Sequence, residues 1–138
     1  MNSALTDIAR VIQLSVAPVF LITGIGGLLS VLSGRLGRTI DRSRVLHAMP
    51  VNDEIVNELV VLSRRAKLIY RAITLGTTSA LLVCLVIVSL FTSAFVSFPI
   101  GAVIAVLFVA AIIALIAALV HFLREVFLAT RALSIHPR

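Results

Sequence analysis

Three long apolar stretches separated by two polar interruptions organise this chain. Residues 11–33 contain no Asp, Glu, Lys or Arg, and at ~1.5 Å per residue such a run crosses a ~30 Å hydrocarbon core with some tilt to spare. Residues 72–123 contain none either, a run about twice what one crossing needs. Ser97, Phe98, Pro99, Ile100 and Gly101 hold its only turn chemistry, so it divides into spans at about 72–96 and 101–123. Pro18 lies in the first span. It removes one amide donor and frees the carbonyl of Leu14, which predicts a bend in the outer half of that span, with Ser15 placed to compensate.

Between the first two spans the helical pattern continues through residues 35–46 without a breaker, until His47, Ala48, Met49 and Pro50 interrupt it. Asn52 is a good N-cap, and Asp53 and Glu54 place negative charge where the dipole of a new helix favours it. Along that second helix Ile55, Leu59, Leu62, Ala66 and Ile69 recur at spacings of four and three, an apolar seam of coiled-coil type. Its nearest partner is the extension of the first helix. The two predict an antiparallel hairpin over about 35–71, projecting ~20 to 30 Å from the bilayer, in which positions summing to about 99 are level. In the third span Ala110, Ala114, Ala117 and Ala118 form a small face that His121 and Glu125 continue. The fold class expected is therefore an all-α membrane protein of one domain, residues 1–138, with three transmembrane helices and a helical hairpin.

Composition strengthens this picture. With 60% hydrophobic and only 13% charged residues, the chain lies far from the soluble average. The single cysteine, Cys84, sits in an apolar run and offers neither a disulfide framework nor a zinc spacing. The start of the chain fits a cleaved signal poorly, because Asp7 and Arg10 cancel and the helix pattern runs on through any plausible cut; a retained span is expected.

Charge adds orientation. A net charge of +6 would point to nucleic acid in a soluble protein, but here the cations crowd beside apolar spans, so anionic phospholipid head groups are the expected counter-charge. Arg35, Arg38, Arg42, Arg44, Arg64, Arg65, Lys67 and Arg71 lie between the first two spans, Arg124, Arg131 and Arg138 follow the third, and Arg10 alone precedes the first. Basic short segments stay cytoplasmic. The N-terminus is expected outside, with hairpin and C-terminus inside.

Two side-chain sets carry candidate chemistry. At ~100° per residue, Thr23, Gly26, Ser30, Gly34 and Gly37 share a narrow face that ends at Asp41. Such a face reads either as a packing seam for backbone contact in lipid or as the lining of a water-filled path. The second set is a charge network of Arg35, Arg38, Asp41, Arg42, Arg44, Glu58, Arg64 and Arg65, in which Asp41 and Glu58 are level across the hairpin. It reads either as a cation site or as arginine–carboxylate pairing. His121 and Glu125, one turn apart, form a candidate pH-sensitive pair or an interfacial hydrogen bond.

The segment SVAPVFLITGIGGLLSVLSGRLGRTIDRSRVL followed by ELVVLSRRAKLIYRAI resembles a family of small bacterial three-span membrane proteins known only as a domain of unknown function. Pro18, the glycines from Gly24 to Gly27, the run Arg35, Arg38, Asp41, Arg42, Arg44, and Glu58 ahead of Arg64 and Arg65 carry the likeness, which covers nearly the whole chain. It implies the same topology and a bacterial inner membrane, and it transfers no mechanism. No nucleophile–base pair, metal cluster or phosphate loop is visible, so neither an enzyme nor a cofactor is expected. Two readings remain: a homo-oligomeric channel lined by the first helix, and a non-conducting module whose hairpin docks a cytoplasmic protein or anionic lipid.

Overall fold

The computed structural model describes residues 2–134, and all its regular structure is helical: α1 (Asn2–His47), α2 (Asp53–Ser93) and α3 (Gly101–Ser134). Arg138, counted above among the tail cations, lies outside the described residues. Each helix is long and apolar enough to cross a membrane. In the most apolar 18-residue window of each, only 17%, 22% and 11% of residues are buried, so most of that apolar surface faces outward, which is tolerable only in lipid.

The helix ends follow local chemistry. The amides of Ala48 and Met49 fold back onto the carbonyls of Val45 and Leu46 at 3.2 Å, a tightened last turn, and α1 stops short of Pro50. Asn52 then caps α2, its Oδ1 accepting the Ile55 amide at 2.8 Å. At the other turn α2 ends at Ser93 rather than near residue 96. There the amides of Ala94 and Phe95 shift to bonds three residues back, onto Phe91 and Thr92. The helix α1 continues unbroken through Pro18, with the Ser15 hydroxyl bonded to the Ile12 carbonyl at 2.9 Å.

Contacts divide the chain into two compact units, each containing part of all three helices. The first comprises α1 up to Leu28 with Gly76–Leu115. Its interior is Val11, Ser15, Pro18 and Ile25 from α1, Gly76, Ser79, Val83 and Val86 from α2, and Ala111 from α3. A polar bond between helices is buried there: the Ser79 hydroxyl donates to the Ala111 carbonyl at 2.7 Å. The second unit comprises Leu29–Leu75 and the rest of α3 from Ile116. It encloses Leu32, Thr39, Leu46, Leu62, Ile69, Ala72, Ala118 and Glu125.

Within each helix the buried positions keep a seven-residue repeat. On α1 they include 11, 18, 25, 32, 39 and 46; on α2 they fall into 62, 69, 76, 83 and 72, 79, 86; on α3 they are 111, 118 and 125. This is the spacing of coiled-coil seams. The seam expected on α2 is thus partly used: Leu62 and Ile69 are buried, while Ile55, Leu59 and Ala66 are half-buried. On the small face of α3, Ala118 is buried and Ala110, Ala114 and Ala117 are half-buried.

Candidate functional site: a charged centre and a bare glycine face

Among the described residues Glu125 is the one ionisable side chain enclosed in the second unit, with no exposed surface. It reaches that position because residue 125 continues the 111, 118 repeat of α3. A buried carboxylate is costly unless it is paired and fully hydrogen-bonded. Both oxygens are satisfied: Oε2 accepts from Arg35 Nε of α1 at 2.7 Å, and Oε1 accepts from Arg65 Nε of α2 at 3.0 Å. The two arginine side chains are 26% and 23% exposed, so part of each guanidinium remains solvated. The Arg35 guanidinium also lies 5.6 Å from the ring centre of Phe122, one turn before Glu125 on the same face. Two cations on one anion leave the cluster with an excess positive charge.

A second pair crosses from α1 to α2 in the open. Arg42 Nε donates to Glu58 Oε1 at 2.9 Å, and this hydrogen bond, with the charge behind it, raises the arginine above its already high ordinary pKa. Both sets of partners, 42 with 58 and 35 with 65, sum to 100.

The structure therefore regroups the sequence candidates. Arg35 and Arg65 join Glu125, while Arg42 joins Glu58. Arg38, Asp41, Arg44 and Arg64 are exposed, with no ion pair among the described residues. His121 hydrogen-bonds through Nδ1 to the Ala117 carbonyl at 2.7 Å, so each member of the His121, Glu125 pair has partners other than its neighbour. Among the described residues no three His, Cys, Asp or Glu gather as metal ligands. One sequence signal did point to the centre: Glu125 is the only acid after Glu58, on a helix that must meet the arginines of the other two.

Thr23 and Gly26 in the first unit, and Ser30, Gly34 and Gly37 in the second, are all exposed. A Cβ built on Gly26, Gly34 or Gly37 meets nothing within 4 Å, and the same holds for Gly24 and Gly27. No described glycine has positive φ, so backbone freedom does not explain them either. This face lies about 160° around α1 from Leu32, by the helical rotation per residue. The Thr23 hydroxyl bonds within its own helix, to the Val19 carbonyl at 3.2 Å; the Ser30 hydroxyl has no partner among the described residues.

Residues 15–135 match the family described as "Protein of unknown function (DUF2721)". No curated protein and no solved structure matches the chain.

Proposed function

The chain belongs to the DUF2721 family of proteins of unknown function, and we propose that it is a membrane protein that self-assembles through the glycine face of α1. One observation carries this reading: the glycines serve neither backbone conformation nor packing within the chain. A glycine inside a helix costs ~1 kcal/mol relative to alanine, so the three on this face, Gly26, Gly34 and Gly37, need a return, and close approach of a second helix in lipid supplies one. Three helices enclose no path alone, whereas a ring of copies places α1 at an axis. The unpartnered Ser30 hydroxyl favours a second reading, a passive conduit along that axis.

The cations flanking the spans favour an orientation with the paired arginines at the cytoplasmic side of a bacterial inner membrane. Cysteine labelling in a Cys84→Ser background checks it: a cysteine at Asn2 should react with impermeant reagent in intact cells, and reaction only after the inner membrane is broken reverses the topology.

Gly34→Leu tests the interface cleanly, because a Cβ at this exposed position meets nothing within 4 Å in the single chain. Overpacking of a tight contact costs ~1–3 kcal/mol, so the variant should fold as the parent does and run as a smaller species in mild detergent. An unchanged oligomer removes α1 from the interface. Ser30→Ala keeps the size and removes the hydroxyl. It should leave assembly intact, and a changed K⁺, Na⁺, Ca²⁺ or Cl⁻ flux in liposomes would establish the conduit, whereas no flux from either protein excludes it.

A further inference from the structure

The side of the second unit facing away from Glu125 carries an open groove between α1 and α2. On α2, Ser63 and Lys67 lie about 160° around the helix from Arg65, by the rotation per residue, so they face away from α3. Two adjoining cavities of about 960 and 390 Å³ share Ile40, Ser63, Ala66 and Lys67. Together they run from Leu36 to His47 on α1, a length of roughly 16 Å or three helical turns. The walls are apolar and uncovered: Ile40, Val56 and Val60 are 40%, 46% and 49% exposed. The rim is basic. Arg44, Arg64, Lys67 and Arg71 line it, no Asp or Glu does, and none of the four is in an ion pair among the described residues.

We propose that this groove docks an acidic amphipathic α-helix from another protein. Charge selects the sign of the occupant, since four unpaired cations beside an apolar trough attract an anionic partner and repel a cationic one. The openness of the walls selects its class. A lipid chain laid in this trough would leave its outer side in water, whereas an amphipathic helix covers Ile40, Val56 and Val60 with its apolar face and presents its own polar face outward. Three turns match the i, i+3, i+4, i+7 anchors by which helices fill such grooves. This charged end stands in water, as the density of arginine demands, whether or not the chain self-assembles.

The test uses the full chain in zwitterionic nanodiscs and a fluorescein-labelled designed helix of about three heptads, with leucine anchors flanked by glutamates; a twin carries lysines instead. The glutamate helix should bind and the lysine helix should not. Arg64→Glu with Lys67→Glu should weaken the first by at least about tenfold and admit the second, as reversed charge at an interface does. Val60→Asp should weaken the glutamate helix as well. Arg38→Glu, an exposed cation outside the groove, should change nothing, and binding should persist in Gly34→Leu. Equal binding of both helices, an equal loss in Arg38→Glu, or a loss in Gly34→Leu overturns the proposal. So does release of the bound glutamate helix from the parent by a short-chain phosphatidylglycerol but not by a phosphatidylcholine of the same chain length, since the groove is then a lipid site.

Discussion

The two units solve the same packing problem with opposite chemistry. In the first, small and branched apolar residues meet along seven-residue repeats, and the polar bond buried between helices is neutral, Ser79 to the Ala111 carbonyl. In the second, the same repeat on α3 brings a carboxylate inward, and one helix partner on each side supplies an arginine. A neutral hydroxyl donating to a backbone carbonyl leaves no charge to compensate, and so survives in a lipid-solvated bundle. A carboxylate needs counter-charges that are themselves partly hydrated, as the 26% and 23% exposed arginines are. One unit is held by shape. In the other, closure of the three helices is tied to a specific triad.

The largest effect should come from stranding the buried carboxylate. Arg35→Met combined with Arg65→Met leaves Glu125 enclosed without a counter-charge, which should cost about 3 kcal/mol, the lower end of the range for broken buried pairs because the arginines are partly solvated. Adding Glu125→Leu should restore most of it, since apolar replacement of a whole buried triad is close to neutral. Unfolding by SDS titration from mild detergent reads both; a double variant as stable as the parent would show that Glu125 is not enclosed.

Ser79→Ala should cost far less. It removes one hydroxyl from the first unit and leaves the Ala111 carbonyl with its helix bond, so the loss should approach the ~0.6 kcal/mol average of hydrogen bonds between membrane helices. A loss as large as that of the arginine pair would erase the contrast between the units. Smallest of all is Glu58→Gln, which breaks the exposed pair with Arg42. Surface pairs contribute little, and the same titration should show no resolvable shift; a clear loss would make the open pair part of the structural frame.

Length and punctuation already mark the helices in the sequence. Uncharged runs long enough for one and two crossings, Pro50 after α1, Asn52 before α2 and the Phe98–Gly101 turn place the breaks between the three elements to within a few residues, because each signal acts on the chain locally, whereas α1 begins well before the uncharged run and α3 continues well beyond it. Membership in an all-helical membrane class follows from the same runs. The faces do not. In a helix apolar on every side, hydrophobic periodicity cannot distinguish the residues that meet another helix from those that meet lipid, so the repeat 11, 18, 25, 32, 39, 46 on α1 is invisible until packing selects it. The glycine face, in contrast, is legible as a row of small residues, but only the structure shows that the chain itself leaves it bare. Glu125 makes the same point through electrostatics. Its neighbour in sequence is His121, yet its partners stand 90 and 60 residues away, and burial of a charge is decided by which counter-charges three helices bring to one place.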